Sequence, residues 1–342
     1  MSSPGPEINM KDVAGRAGVA ISTVSRALSG APGVSTATRT RIEAAAAELG
    51  YVISPAASNL AGGATKRVAI VVPHLARWIC AAMVESLEVR LRAAGFEILI
   101  YQVEDADARH RFFAQLPARR KVDAVVVVCL PVSDAERARL DLMGVQVLAA
   151  GGQMVDYPFV CIDDFEAARQ AVDHLVLLGH RRIAMIDAYD EEIVDWPRES
   201  IRHDGYRQAL AARSIEVDDQ LTVRSGWGGE AAAAAMAALL SLPEPPTAVF
   251  AHSDEVALGA VRTIRRAGLR VPEDLSVIGI DDHPFAALTD LTTIEQPVAL
   301  IATQAAELLL DLLGGVAART QVKVPTRLVP RATTARPRDA LV

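Results

Sequence analysis

Hydrophobic residues recur at two different spacings along this chain. Up to residue 50 the spacing is helical. Val13, Ala14 and Ala17 share one side of a helix Lys11–Ala17 that Gly18 stops. Val24, Ala27 and Leu28 share one side of a second, Ile21–Leu28, ended by Ser29 and Gly30. Ser35 caps a third, Thr36–Leu49, in which Ile42, Ala45, Ala46 and Leu49 stand at i, i+3, i+4 and i+7 before Gly50. From Arg67 onward the pattern changes to short continuous apolar runs separated by helical stretches. Strands are expected at Val68–Val72, Glu97–Tyr101, Ala124–Leu130, Val145–Ala149 and Val160–Ile162. After a helix Ala167–Leu178, more are expected at Ile183–Ile186, Thr222–Arg224, Ala248–Ala251 and Ser276–Ile280. Continuously apolar strands between amphipathic helices indicate parallel sheets covered on both faces. Two such sets predict an α/β core of two doubly wound lobes, with a ligand cleft beyond the carboxyl ends of the strands.

The short helices 11–17 and 21–28, joined by a tight turn at Gly18-Val19, read as a helix-turn-helix. On the second helix the apolar side packs inward. Ser22, Ser25, Arg26 and Ser29 fall on the other side, with Ile21 at their edge. Small polar groups and one arginine suit a DNA major groove: Arg26 can pair with guanine O6 and N7, and hydroxyls such as that of Thr23 suit phosphates or base edges. An ordinary amphipathic hairpin would share this pattern. Between this head and the core, residues 51–66 carry Ser54-Pro55 as a helix start and Gly62-Gly63 as a stop, a short helix within a linker.

Charge distribution fits that division. The 342-residue chain has a net charge of -7. Residues 1–67 hold seven basic and four acidic residues, +3, which leaves −10 for the remainder. A mildly basic head on an acidic body suits DNA contact through the head alone. The three cysteines, Cys80, Cys129 and Cys161, form neither a disulfide framework nor a zinc motif, which points to a reducing cytoplasm. The polar N-terminus lacks an apolar signal region, and the greasiest stretch, Ala231–Leu240, is far short of the ~20 residues a membrane span needs. No signal peptide, membrane partner, metal or cofactor is expected.

Enzyme readings are weaker. Gly226-Trp-Gly228-Gly-Glu-Ala231 fits a dinucleotide-binding G-x-G-x-x-A, with Asp254 or Glu255 downstream, but it lies in the second lobe and not after the opening strand. His252, Ser253 and Asp254 are sequence neighbours and cannot form a relay. A pure ligand receptor would fit the core but would need a signal peptide and would lack residues 10–49.

The run from Ile8 to Gly30, with its core Val13-Ala-Gly-Arg-Ala-Gly-Val-Ala-Ile-Ser-Thr-Val-Ser-Arg26, closely resembles the head of the lactose-repressor family of bacterial regulators. The resemblance continues in order. It includes Val34-Ser-Thr-Ala-Thr-Arg39, Ala57, Leu60-Ala61, Val68–Pro73, Leu178–Ile183, Gly205-Tyr206, Ser253–Gly259, Val271–Asp282 and Leu291–Pro297. It implies a helix-turn-helix headpiece (1–50), a hinge helix and linker (51–66), and a periplasmic-binding-protein-like core. The core comprises one lobe at 67–162 and 296–324, a second at 163–295 and 325–337, and a tail at 338–342. It also implies a non-enzymatic homodimer on a near-palindromic operator, controlled by a small-molecule effector. The matching recognition positions are Ile21, Ser22 and Arg26. In the hinge, Ala57, Asn59 and Leu60 are expected at DNA, with Leu60 wedged into the minor groove. Two departures stand out: Ile53-Ser54 where the family often has Pro-Asn, and Ser58 where it often has arginine. No heptads mark a tetramerisation tail at 337–342.

The same resemblance places Arg202, Asp254 and Trp227 at the effector. Asp163, at the lobe crossover, fits either the pocket or a hinge brace. His74, Arg77 and Trp78 follow the first core strand, where the family often shows Asp and Asn-Pro-Phe-Phe, so they point to the cleft with altered chemistry. Asp254 and Arg202 together suit hydroxyls and Trp227 an apolar face. The expected effector is therefore a sugar or sugar derivative, His74 and Arg77 leaving room for an acidic or phosphorylated one; a nucleobase is the alternative. His180 is expected to be structural.

Overall fold

Residues 8–28, 31–51, 64–154, 156–190, 200–316 and 320–338 are described by a computed structural model. The chain divides into two compact units, Met1–Lys66 and Arg67–Val342. In the first, Asn9 and Asp12 form a reciprocal capping box that opens α1 (Met10–Ala17), and Gly18 closes it in a left-handed conformation. Helix α2 (Ile21–Leu28) follows after the tight turn, and Ser35 caps α3 (Thr36–Leu49). Val13, Val24 and Ile42, each fully buried, form the centre of this small core. Arg39 donates to the carbonyls of Ala27 and Ala31, which ties α3 to the end of α2.

The second unit holds two six-stranded sheets. The first contains β1 (Arg67–Val72), β2 (Glu97–Gln102), β3 (Ala124–Val128), β4 (Gln146–Ala150), β5 (Phe159–Ile162) and β11 (Gln321–Val324). The second contains β6 (Ile183–Tyr189), β7 (Thr222–Gly226), β8 (Ala248–Ala251), β9 (Ser276–Asp281), β10 (Thr292–Glu295) and β12 (Arg327–Val329). Their orders are β11-β5-β4-β3-β1-β2 and β12-β10-β9-β8-β6-β7, the same winding twice. All pairings are parallel except that of β10 with β12. In each sheet the order reverses beside the first strand, between β1 and β3 and between β6 and β8, and such switch points open crevices at the strand ends.

Alternation along the strands builds the layers. In β1, Val68, Ile70 and Val72 point to α4 (Trp78–Ala93) and α12 (Val298–Leu313), while Ala69 and Val71 point to α5 (Ala106–Gln115) and α6 (Asp134–Asp141). In the second sheet Ile183 and Met185 face α7 (Asp164–Leu177) and α8 (Ile201–Ala211). Ala184 and Ile186 face α9 (Gly229–Leu240) and α10 (Asp254–Arg266). A short α11 (Pro284–Leu288) follows β9. Burying each large apolar side chain contributes about 1.5–3 kcal/mol.

The α/β architecture with an all-helical head is as the apolar pattern predicts. The differences are local. Strand β3 stops at Val128, not Leu130, because Cys129 turns to φ 47°. Helix α7 starts at Asp164, three residues early, because the Asp163 side chain accepts from the Glu166 N–H. β10, β11 and β12 went unrecognised as strands: they have three or four residues each, and β11 and β12 lie at sheet edges. They matter because the chain passes between the sheets after β5, after β10 and after β11.

Candidate functional site

On α2, Val24 and Ala27 are buried against the head's core, while Ile21, Ser22 and Arg26 are exposed together and Thr23 and Ser25 are half-buried. The geometry is a short helix presenting one cation and small polar groups outward. Ser29, just after α2, and the hinge residues Ala57, Asn59 and Leu60 lie outside the described residues.

In the second unit, residues after strands of both sheets enclose a cavity of about 240 Å³. Cys129 and Gly151 contribute from the first sheet, and Arg202, Trp227, His252 and Asp281 from the second. Arg202 comes from the first turn of α8, opened by Ser200 as N-cap. Its Nε donates to Asp164 Oδ1 at 2.8 Å and its Nη1 to the His252 carbonyl. Burial works against its charge, but Asp164 and Asp281 outweigh it and raise its pKa. His252 Nδ1 lies 2.9 Å from Asp187 Oδ1, which also accepts from Ser200 Oγ at 2.7 Å. Burial, with Arg202 nearby, lowers the pKa of His252 and favours the neutral ring. The carboxylate partner then fixes the proton on Nδ1 and leaves Nε2 an acceptor. Burial pushes the Asp187 carboxyl up, yet its bonds from His252 and Ser200 hold it below the usual range. Burial and the neighbouring Asp254 push Asp281 well above it.

Trp227 follows β7; its Nε1 donates to Glu255 Oε2 at 3.1 Å and its ring meets the edge of His252 at 5.5 Å between centroids. The Arg77 guanidinium lies 4.5 Å over the same indole. Arg77 Nη2 also donates to Asp190 Oδ2 at 2.7 Å, and His74 Nε2 lies 3.1 Å from that oxygen. This cluster joins the segment after β1 to the end of β6, so it spans the two sheets. Arg77 is thus neutralised by Asp190, which removes the reason for expecting an acidic or phosphorylated ligand there.

Of the expected pocket residues only Arg202 and Trp227 line the cavity; His74 and Arg77 do not, nor do Asp254, Asp163 and Trp78. Asp254 is fully buried at the start of α10, its Oδ1 accepting from Thr293 Oγ1 at 2.7 Å and its Oδ2 from the His283 N–H at 2.8 Å. Both oxygens are occupied in tying α10 to the ends of β9 and β10. Asp163 caps α7 and pairs with Lys323 Nζ at 2.6 Å, bracing two of the three inter-sheet crossings. Trp78 packs on His283, 4.9 Å between centroids, and borders a separate cavity of about 430 Å³ beside Glu295–Ala299. Conversely, Asp164, His252 and Asp281 were not singled out as effector residues. The first two are sequence neighbours of Asp163 and Ser253, and only the end of a strand or helix decides which neighbour turns into the cleft. Asp281, at φ 136°, carries a backbone strain that marks a special position. His180 is structural: its ring contacts Thr247, Ser276 and the Ala335 carbonyl. The G-x-G-x-x-A run opens α9 after β7, an edge strand, away from the switch point where a dinucleotide would bind.

Asp254 yields a pH prediction. Burial is the main cause that pushes its carboxyl up to about 6, against roughly 3.9 in an unfolded chain. Between those values the folded state holds a proton the unfolded chain has lost. The group's stabilising contribution is therefore whole below about pH 4 and lost as pH rises through about 6. Asp254→Asn keeps an acceptor for His283 N–H and a donor for Thr293. It is expected to match the native protein near pH ~4 and to exceed its stability near pH ~8 by up to ~3 kcal/mol, read by urea denaturation at both pH values.

Comparison with known proteins agrees with this layout. Residues 9–54 match the family described as bacterial regulatory proteins, lacI family, and residues 172–334 match a periplasmic binding protein-like domain. The chain is 37% identical over 310 residues to the HTH-type transcriptional repressor CytR of Escherichia coli (strain K12), covering 90% of each. It is 35% identical over 329 residues to the HTH-type transcriptional regulator CelR of Thermobifida fusca, covering 93% of this chain and 94% of that one. Among solved structures, a CelR–cellobiose complex is similar with TM-score 0.70 and 32% identity, over 95% of this chain and 99% of that one. A lac repressor dimer bound to operator and the anti-inducer ONPF is similar with TM-score 0.81 and 28% identity, over 96% and 99%.

Proposed function

The chain belongs to the lacI family of bacterial regulatory proteins, and from that premise we propose how its parts divide the work of a DNA-binding transcriptional regulator. The headpiece, 1–50, reads operator DNA. Residues 51–66 hinge it to a core whose lobes are 67–162 with 296–324, and 163–295 with 325–337. The chain acts in the cytoplasm as a homodimer that represses by binding and catalyses nothing. Two copies of α2 then meet the half-sites of a near-palindromic operator. The observation that carries the DNA reading is the exposed face of α2, on which Arg26 stands with Ile21 and Ser22. Arg26 reads a base; Thr23, Ser25 and Ser29 position the helix on the backbone, and Ala57, Asn59 and Leu60 act at the hinge. Arg26→Ala is expected to cost about 1–3 kcal/mol on the operator and to relax preference at one position per half-site. Selection of bound sequences from a random pool tests this; an unchanged site preference refutes it.

The effector is a sugar or sugar derivative in the cavity between the sheets. Asp164 and neutral His252 accept, Arg202 donates, and Trp227 supplies an apolar ring around one space. Its volume of about 240 Å³ lies below the roughly 300–1,000 Å³ typical of ligand clefts, which favours a small, uncharged polyol. The CelR structure holding cellobiose supports a carbohydrate. Trp227 beside His252 would also stack on a nucleobase, the second reading. Control works by population shift: the ligand favours one lobe arrangement over the other. A thermal-shift screen of sugars, polyols, sugar acids and nucleosides decides it. A rise in Tm with neutral sugars supports the first reading and a rise with nucleosides alone the second; no rise with any sinks both.

A further inference from the structure

A further cavity, of about 650 Å³, opens between α5 and α6 and shares no lining residue with the effector cavity. Arg109, His110 and Phe113 reach it from α5, and Ala135, Glu136 and Arg139 from α6. Arg109 is only 6% exposed. Its Nε and Nη2 grip the Glu136 carboxylate, Nη2 lying 2.7 Å from Oε2, and Nη2 also donates to the Pro131 carbonyl at 2.6 Å. Its Nη1 is buried and has no hydrogen-bond partner. Burial pushes the Glu136 carboxyl up, but Arg109 and Ser133 hold it below the usual range, so Glu136 offsets the charge of Arg109. Arg139 has no such counterpart. Its Nε donates to the Phe113 carbonyl at 2.9 Å and its Nη2 to that of Ala114, and no carboxylate among the described residues pairs with it. The cavity wall therefore carries surplus positive charge.

We propose that this cavity is a second ligand site, taking a small organic anion, a carboxylate or a phosphate monoester. The anionic head meets Arg139 and the unpartnered Nη1 of Arg109, and the apolar part lies against Phe113 and Ala135. A buried donor without an acceptor is uncommon in a folded protein and costs free energy, and a ligand oxygen relieves that cost. Glu136 and the Pro131 carbonyl hold the Arg109 guanidinium in one orientation, so little ordering remains to be done when an anion arrives. Guanidinium groups suit carboxylate and phosphate oxygens in particular. The exposed His110 stands at the rim as a further donor. The volume falls within the roughly 300–1,000 Å³ typical of ligand clefts. Nothing in this site depends on the effector being a sugar, because the two cavities differ in lining and in charge.

The test titrates the intact protein calorimetrically with phenyl phosphate and with benzoate, and with benzyl alcohol as the uncharged control. Saturable binding of either anion, weakened by added salt, is expected, with no binding of benzyl alcohol. Binding of one anion and not the other supports the site and names its head group. Arg139→Gln removes the uncompensated cation and should weaken binding about ten-fold or more. Ala135→Phe fills the cavity while leaving every hydrogen bond of Arg109 and Arg139 in place, and should abolish binding without lowering Tm. The proposal is overturned if neither anion binds at millimolar concentration, if benzyl alcohol binds as well as the anions, or if Ala135→Phe and Arg139→Gln both bind like the native protein.

Discussion

Arg202→Ala is expected to abolish the response to the effector while leaving the headpiece able to bind operator. Arg202 is buried, and its guanidinium donates to Asp164 and to the His252 carbonyl at the cavity wall. Removing one member of a buried charge pair costs about 3–5 kcal/mol, because the partner is left desolvated and unpaired. The variant should therefore unfold at lower urea concentration and release no operator on addition of a ligand that dissociates the native complex. Arg202→Lys keeps the charge but not both donor directions, so it should be less unstable and still weak in response. Operator titrations with and without ligand decide the matter. A native-like response in both variants places the effector elsewhere.

Gly205→Val should be the most damaging single change in the core. Gly205 sits in α8 where that helix crosses α7, and a Cβ there would lie 2.4 Å from the Phe165 carbonyl oxygen and 3.0 Å from Ala168 Cβ. The backbone of α7 cannot yield as a side chain could. Overpacking costs typically about 1–3 kcal/mol, and valine's two further methyls should take the loss beyond about 3 kcal/mol. Since α8 carries Arg202 in its first turn, its displacement should also weaken any ligand-induced rise in Tm. Gly15→Ala provides the contrast: nothing lies within 4 Å of its Cβ position, on the exposed face of α1, so that helix should be unharmed or gain about 0.5–1 kcal/mol. Equal denaturation midpoints for Gly205→Val and the native protein would refute the close helix crossing.

Much of the molecule is legible in the chain itself, because the governing forces are local. Periodicity of apolar residues places α1, α2 and α3 almost to the residue, since the caps Ser35, Gly18 and Gly50 act on their own helix. The β-branched runs of β1, β3 and β9 declare buried strands, and the ordered motifs declare the family. The exposed face of α2 follows from the same spacing that buries Val24 and Ala27.

What the sequence leaves open is whatever depends on one segment meeting another. Asp163 and Asp164 are chemically alike and adjacent; the start of α7 sends the first to Lys323 and the second to Arg202. Asp254, expected at the effector, does not line the cavity, because Thr293 and the His283 N–H bind its two oxygens, whereas Asp281, for which the sequence indicates no role, ends β9 at the cavity. Arg77 reads as a ligand cation until Asp190, more than a hundred residues away, is found 2.7 Å from it. The short edge strands β11 and β12 carry too few apolar residues to show a period, yet they form the last crossing between the sheets. Local patterning determines elements and their buried faces, because hydrophobic burial depends on spacing alone. The partners of polar groups are decided by tertiary structure, because a hydrogen bond or ion pair holds only over a few ångströms between atoms that the folded topology has brought together.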